Sequence, residues 1–358
     1  MRTALADKLA AAGAQIGATL GSYAGAETAA RFGDVNAEFA ALTKEAGVYD
    51  LGWRAKIKVT GEDRVRWMNG MVTNNVRDLK PNEGNYNFVL SPQGRIQGDM
   101  YIYQRGDALL IDTEQSQREA LLKLLDHFII MDDVELQDVS AEMTSIGVQG
   151  PQATEVLKKI GIEPSCADPL IVCDVTWHGS TIQVTRMASD EFLTYELWMS
   201  PEVAPKLWDA LVSAGAKPLG YEALEKFRVF AGVPKYGQDI REKDLPQETE
   251  QTHALHFAKG CYIGQEIVER IRSRGAVHRM FTGFRLTQDA APGAEVLAEG
   301  KKIAELTSVA RVPMNGHEKL LALGYIRREA GKPGSRFKVG DGEAIVVSLP
   351  FKDSPVSV

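Results

Sequence analysis

Lys259-Gly260-Cys261-Tyr262-Ile263-Gly264-Gln265-Glu266, running on into Ile267-Val268-Glu269-Arg270, is the stretch on which the reading of this chain turns. It sets an ammonium, a thiol, a phenol, an amide and a carboxylate around two glycines. Gly260 and Gly264 can take backbone angles, or allow close approaches, that a side chain forbids. Arg270, Arg272, Arg274, His278 and Arg279 follow closely. A core segment does not carry so many polar groups in so short a run. The stretch reads as a site. Cys261 is its reactive candidate, because Lys259 and the downstream arginines favour a thiolate wherever they lie near it.

Other chemistry for that thiol is less favoured. A cysteine hydrolase needs a histidine base, and His253 and His256 precede the stretch, but with no flanking motif of such an enzyme. A zinc site needs three or four ligands, and Cys261 is the one obvious third beside those histidines, so no metal is expected. The basic run from Lys259 to Arg279 suits an anion such as a carboxylate, which arginine grips with two hydrogen bonds.

Composition sets the outer bounds. With 358 residues, 44% hydrophobic and 25% charged, the chain is a globular protein with room for two or three domains. A net charge of -7 argues against nucleic-acid binding driven by overall charge. Cys166, Cys173 and Cys261 form no CxxC pair, which excludes an intramolecular four-cysteine cluster. Cys166 and Cys173, among Pro, Ile and Val, read as small buried hydrophobes. A disulfide framework is not expected, and such sparse cysteine usage suits a reducing cytoplasm. Asp7, Lys8 and Gln15 interrupt the alanine-rich Met1–Leu20, so neither a signal peptide nor a membrane span is expected there. An N-terminal helix, mobile or docked, is.

The remaining elements follow from periodicity and turn chemistry. Residues 34–46 read as an amphipathic helix with Asp34 as N-cap and Gly47 as its stop. Lys56–Val59 alternates as a strand, and Thr60 with Asp63 is spaced to cap a helix through Trp67 and Met68. Residues 85–90 and 95–103 flank a Ser91-Pro92-Gln93-Gly94 turn, with Gln97-Gly98-Asp99 as a polar interruption suited to an exposed face. Gln115–Phe128 is a helix that buries Leu121, Leu122, Leu124 and Leu125. From Thr144 the pattern repeats in kind, with helices expected over 150–160 and 201–214 and strands between them. Residues 238–252 are polar and proline-interrupted and read as a surface crossing. Beyond Arg279, short strands separated by Gly, Pro and Asn predict a small β-barrel or sandwich.

The string K-G-C-Y-x-G-Q-E resembles the signature of the YgfZ family, folate-binding proteins linked to iron–sulfur cluster assembly and repair. That family shares its fold with the aminomethyltransferase, or T-protein, of the glycine cleavage system. Residues 48–76, Arg228–Ile240 and Leu323–Gly334 are similar to segments of the same superfamily. The resemblance implies an α+β GcvT-like fold of two interwoven subdomains around a central channel that holds tetrahydrofolate, with a C-terminal β-barrel. It divides the chain into an N-terminal extension (1–33), a folate-binding region (34–245), the signature segment (246–278) and the barrel (279–358).

By the same resemblance, Tyr86 in Gly84-Asn85-Tyr86, Asp99 and Glu196 lie about the pterin, and Arg228 or the basic run takes the glutamate end. Asp99 matches the aspartate that assists the folate amine, in a pattern whose other acid is replaced here by Gly98. Lys259, Gly260, Tyr262, Gly264, Gln265 and Glu266 are the signature positions around Cys261. Aminomethyltransferases carry a related K-x-x-F-I-G pattern without the cysteine. The resemblance therefore implies a tetrahydrofolate-binding protein that supports iron–sulfur clusters, with client or assembly proteins as partners. Its alternatives are a tetrahydrofolate-dependent aminomethyltransferase and an interaction scaffold with a vestigial folate pocket.

Overall fold

A computed structural model describes residues 1–16, 18–165, 168–189, 192–275, 277–314 and 316–351. The chain opens with helix α1 (Ala6–Ile16) and the hairpin β1 (Thr19–Tyr23) and β2 (Ala26–Arg31). Leu5, Leu9, Ala29 and Phe32 lie in a core with Val48, Ile146 and Leu207, so the N-terminal helix is docked. Asp34 caps α2 (Val35–Lys44) by accepting the Ala37 N–H at 2.8 Å. Gly47, expected as that helix's stop, instead opens strand β3 (Gly47–Asp50). A Cβ there would lie 2.3 Å from Leu219 Cδ1.

Two successive stretches then build one topology twice. The first comprises β4 (Arg54–Thr60), α3 (Arg64–Met71), β5 (Gly84–Leu90), β6 (Ile96–Arg105), β7 (Ala108–Glu114), α4 (Arg118–His127) and β8 (Glu135–Asp138). Its sheet order is β5-β6-β7-β4-β8. The second comprises β9 (Thr144–Gln149), α5 (Ala153–Lys159), β10 (Val172–Trp177), β11 (Ser180–Arg186), β12 (Thr194–Met199), α6 (Ala204–Ser213) and β13 (Lys217–Leu219). Its order is β10-β11-β12-β9-β3-β13. Exchanging counterparts reproduces the first order, except that β3 is inserted between β9 and β13. The halves are interwoven because β3, which precedes the first stretch, pairs in the second sheet.

Strand alternation gives each sheet two unlike faces. On the second, Ile146, Val148, Ile182, Val184 and Leu197 pack with Val156 and Leu157 of α5 and Leu207 and Leu211 of α6. The alternate positions are Ser145, Gly147, Gln149, Gln183, Thr185, Glu196 and Trp198, a mostly polar face. On the first sheet Ile57, Ile102 and Ile111 are fully buried on one face, and Lys56, Tyr101, Tyr103 and Asp112 occupy the other. Tyr103, Leu110, Val172 and Trp198 cluster together, so the two polar faces are turned toward each other.

The chain divides into two compact units, Met1–Asn87 with Asp99–Leu224, and Phe88–Gly98 with Glu225–Val358. The second contains most of α7 (Tyr221–Ala231), then α8 (Gln265–Arg274) and strands β14 (Arg279–Leu286), β15 (Glu295–Ala298), β16 (Lys301–Met314), β17 (His317–Arg327), β18 (Arg336–Val339) and β19 (Gly342–Val347). These strands close a barrel in the order β14-β17-β16-β15-β18-β19. Phe284, Val296, Leu306, Ala322, Ile326 and Val346 fill it. The α+β class with a C-terminal barrel is the fold the sequence implied.

Local expectations failed where a side chain found a better partner. Residues 238–252 are not a surface crossing, because Asp239, Asp244, Glu248 and Thr249 are buried. Each of those carboxylates meets an arginine: Asp239 takes Arg228 at 2.6 Å, and Asp244 and Glu248 take Arg279 at 2.7 and 2.8 Å. Paired and hydrogen-bonded charges can be buried. Asp63 does not cap α3 with its side chain but accepts the Asp133 N–H at 3.0 Å. Helix α4 starts at Arg118 and buries Leu121 and Leu125 but not Leu122 or Leu124. Cys173 is half-buried and disulfide-bonded, not a buried free thiol. Cys166 lies outside the described residues.

Gly150 joins the second unit of the duplication to α2. Its φ is +120°, and a Cβ there would lie 2.4 Å from the Glu45 carbonyl oxygen. Strained backbone and steric overlap together cost about 3 kcal/mol or more. Gly150→Ala is therefore expected to lower the thermal midpoint by several degrees in a scanning calorimeter, whereas Gly161→Ala, which meets no neighbour within 4 Å, loses only the cost of its backbone angle.

Candidate functional site

Pairing register builds the site before any ligand is considered. Lys56 on β4 lies opposite Asp112 on β7, and Asp112 lies opposite Tyr101 on β6. One row across three strands therefore presents an ammonium, a carboxylate and a phenol. Arg54, two residues along β4, points to the same side and donates through Nε to Asp112 Oδ1 at 2.9 Å. Lys56 Nζ is 2.9 Å from the same oxygen. It also lies 4.8 Å from the ring centroid of Trp198, to which Tyr103 packs edge-on at 4.9 Å.

The charges divide unequally. Lys56 and Asp112 have no exposed surface. Burial opposes the Asp112 carboxylate, but the charges of Arg54 and Lys56 and the Arg54 hydrogen bond outweigh it and hold Asp112 below the usual carboxylate range. Glu196, on the counterpart strand β12, goes the other way. Burial, then repulsion by Asp112, pushes its carboxyl up despite Arg54 and Lys56. Its Oε2 accepts the Trp198 indole N–H at 3.1 Å. Burial likewise raises the Tyr101 and Tyr103 phenols, keeping them as neutral hydrogen-bond donors at physiological pH.

Several polar atoms on these facing surfaces lack a well-aligned hydrogen-bond partner among the described residues. They include Lys56 Nζ, Asp112 Oδ2, Tyr103 Oη, Ser145 Oγ, Gln149 Nε2, Gln183 Oε1 and Thr185 Oγ1. Buried polar groups are ordinarily satisfied. Their concentration on two facing sheets marks a buried polar layer between them.

A second group lies closer to solvent. Tyr86 Oη is 2.5 Å from Asp99 Oδ2, and Gln117 Nε2 donates to Asp99 Oδ1 at 2.7 Å. The Asp99 N–H donates to Gln117 Oε1 at 3.1 Å, and Thr113 Oγ1 donates to the Asp99 carbonyl at 2.8 Å. Burial, followed by the charge and hydrogen bond of Asp99, raises the Tyr86 phenol well above its ordinary value. The polar interruption at 97–99 is thus not a plain exposed face. Asp99 is half-buried and held at both oxygens.

The signature stretch behaves differently from its polar composition. Gly264, at φ +82°, precedes α8, and a Cβ there would lie 2.6 Å from the Ser91 carbonyl oxygen. Gln265 Oε1 accepts the Tyr262 N–H at 3.2 Å. Lys259 is buried with its Nζ 5.0 Å from the Tyr262 ring centroid. Burial, with Glu269 adding to it, pushes the Tyr262 phenol up to about 12. Lys259, Tyr262, Gly264 and Gln265 therefore shape the turn into α8, whereas Gly260, Cys261 and Glu266 are exposed. Cys261 is a free thiol. Among the described residues no group of three His, Cys, Asp or Glu is placed to hold a metal ion.

Arg228 is engaged by its own unit. Its guanidinium donates to both Glu225 oxygens, to Asp239 Oδ2 at 2.6 Å, to the Val233 carbonyl at 2.8 Å and to Ser308 Oγ at 2.9 Å. The structure thus brings Tyr86 and Asp99 together. It sets Glu196 in the polar layer with Lys56 and Asp112, and it ties Arg228 and most of the signature into the second unit.

Comparison with known proteins agrees with the fold. The family described as GCVT N-terminal domain matches residues 5–259. The chain belongs to that family. An aminomethyltransferase of Nostoc sp. is 28% identical over 357 residues, covering 95% of this chain and 93% of that protein. An aminomethyltransferase of Geobacillus kaustophilus is 28% identical over 353 residues, covering 94% of this chain and 96% of that protein. The crystal structure of glycine cleavage system aminomethyltransferase T from Bartonella henselae superposes with a TM-score of 0.88 over 99% of this chain and 98% of that one, at 19% identity. It shows the same fold.

For this member of the GCVT N-terminal domain family, sequence reasoning missed Arg54, Lys56, Asp112 and Gln117. Cations at Arg54, Lys56 and Lys58 alternating with Ala55, Ile57 and Val59, and an aspartate after Ala108-Leu109-Leu110-Ile111, were the available signals. Glu196 generates the test. A raised folded-state pKa favours the protein below the carboxyl's unfolded value, and that stability is lost as pH rises through the folded value. Glu196→Gln is therefore expected to raise the thermal midpoint at neutral pH by a few degrees, about 1 kcal/mol. The difference from wild type should shrink in melts run at falling pH.

Proposed function

We propose that this chain is a tetrahydrofolate-dependent aminomethyltransferase. The observation that carries the proposal is the Tyr86–Asp99 contact, with Asp99 held at both oxygens at the edge of the polar layer that contains Glu196. Family membership and the curated aminomethyltransferases it resembles support it.

The residues fit a reduced folate. A pterin offers adjacent N–H groups on its pyrimidine edge, and Glu196 is an acceptor-only group when ionised. Oε1 of Glu196 faces that role because Oε2 is engaged by Trp198. Tyr101, which is part-exposed and packs 5.1 Å from the Tyr86 ring, supplies aromatic surface beside Asp99. Tetrahydrofolate, when bound, supplies the amine that takes up the one-carbon unit. Asp99 then holds or returns a proton at Oδ2, the oxygen that faces Tyr86. Neutral Tyr86 donates its own hydroxyl hydrogen to that oxygen and so fixes the carboxylate's direction.

Gly98 stands where the aminomethyltransferase pattern has its other acid. Alternation places Gly98 with buried Ile96 and Met100, on the face opposite Asp99 and Tyr101. Its loss therefore leaves the Asp99 side of the strand intact. Arg228, its donors engaged within the second unit, is assigned to holding that unit together and not to the folate glutamate.

A second reading has one observation in its favour. Cys261 is an exposed free thiol on the loop before α8, as a protein of the YgfZ kind that supports iron–sulfur enzymes would present to client proteins. One thiol cannot hold a cluster without further ligands, so this reading requires a partner.

Methylene-tetrahydrofolate formation from tetrahydrofolate and an aminomethyl-lipoyl carrier protein separates the two. Turnover is expected, falling about 100-fold or more in Asp99→Asn, while Glu196→Gln weakens tetrahydrofolate binding about tenfold and Cys261→Ser stays near wild type. Absence of turnover, with an authentic T-protein active in the same mixture, overturns the aminomethyltransferase reading. Loss of iron–sulfur enzyme activity in cells carrying Cys261→Ser would then favour the second.

A further inference from the structure

Gln117 makes contacts that no feature of the sequence announced. It is 5% exposed and sits at the start of α4, directly after the turn that leaves β7. Its amide meets Asp99 twice: Oε1 accepts the Asp99 backbone N–H at 3.1 Å, and Nε2 donates to Asp99 Oδ1 at 2.7 Å. The first contact fixes the second. A backbone N–H can only donate, so the amide oxygen must face it. The amide nitrogen is then the group left facing Oδ1, and Oδ1 must accept. A proton on the Asp99 carboxyl is thereby directed to Oδ2, because the Tyr86 hydroxyl that donates to Oδ2 at 2.5 Å can turn to accept, whereas the fixed amide N–H at Oδ1 cannot.

The turn that carries Gln117 is itself braced. The Ser116 N–H donates to the Ala24 carbonyl at 2.9 Å, and the Gln117 N–H to the Glu114 carbonyl at 2.9 Å. Gly25, at φ +89°, allows the β1–β2 turn to come this close, since a Cβ there would lie 2.9 Å from the Ser116 nitrogen. The N-terminal hairpin thus supports the turn, the turn holds Gln117, and Gln117 holds Asp99.

We infer that Gln117 is a positioning residue that locks the orientation of Asp99 and confines its exchangeable proton to the Tyr86-facing oxygen. The inference rests on the aminomethyltransferase reading for the identity of the reaction, but not for the geometry. Gln117 touches neither the one-carbon unit nor its acceptor in this scheme. It acts through Asp99.

Gln117→Glu tests this with little change of shape. The substituted carboxylate still accepts the Asp99 N–H but repels Oδ1 where the amide donated to it. In the full-length, ligand-free protein labelled with carbon-13 at tyrosine Cζ, the Tyr86 resonance, assigned by its loss in Tyr86→Phe, is expected to move away from its wild-type position, and to do the same in Asp99→Asn. The other tyrosine signals should stay in place. A Tyr86 signal that coincides with wild type in Gln117→Glu overturns the proposal. In the transfer assay, kcat is expected to fall about 100-fold, the scale of a misplaced catalytic group, with KM for tetrahydrofolate within about twofold. A raised KM at unchanged kcat also overturns it. A wild-type protein without transfer activity would defeat the function proposed above and leave the spectroscopic result to decide the role of Gln117.

Discussion

Lys56 places an ammonium with no exposed surface between two β-sheets, 2.9 Å from an equally buried Asp112. The desolvation of such a pair is tolerated because Arg54 adds a second cation and Trp198 lies under the lysine. Removing one partner from a buried pair costs about 3–5 kcal/mol, so the register that aligns β4, β7 and β6 cannot slip without exposing that penalty. A slip of one residue would also turn Ile57 and Ile111 into the polar layer and Lys56 into the apolar one.

This constraint separates the work of the two faces of each sheet. The outward faces are apolar, and on the second sheet they pack on α5 and α6 to supply the hydrophobic stabilisation. The inward faces hold polar and aromatic groups. Because the topology is duplicated, counterpart strands β7 and β12 each turn a carboxylate inward, Asp112 and Glu196. Their surroundings drive them apart. Two adjacent cations keep Asp112 ionised, whereas burial and the Asp112 charge push Glu196 up. Titratable pairs separated in this way are a frequent device for assigning different tasks to like groups.

The second unit is organised by another set of buried charges. Asp239, Asp244 and Glu248 pair with Arg228 and Arg279, while Thr307 and Ser308 donate to Asp239 from the barrel wall. The polar crossing over 238–252 is therefore a set of ties between α7, the loop before α8 and the barrel. The signature around Cys261 belongs to the same framework. Its glycine, tyrosine and glutamine set the turn into α8, and what remains for chemistry is a thiol at the surface.

The sequence by itself determined the α+β class, the barrel and most strands and helices, because periodicity and turn residues act locally and the signature string is specific. It also determined that Tyr86 and Asp99 were candidates, through motifs that resemble a folate-binding superfamily. Only the tertiary structure decided what surrounds them. Arg54, Lys56, Asp112 and Glu196 come from strands far apart in the chain, and Gln117 reaches Asp99 across 18 positions. Local patterning carries no information about such contacts, so a lysine in a strand reads as scaffold until its partner is known. The same reason explains the opposite error at 238–252. Polar groups look destined for solvent or substrate in a sequence, but paired charges and aligned hydrogen bonds allow a fold to bury them.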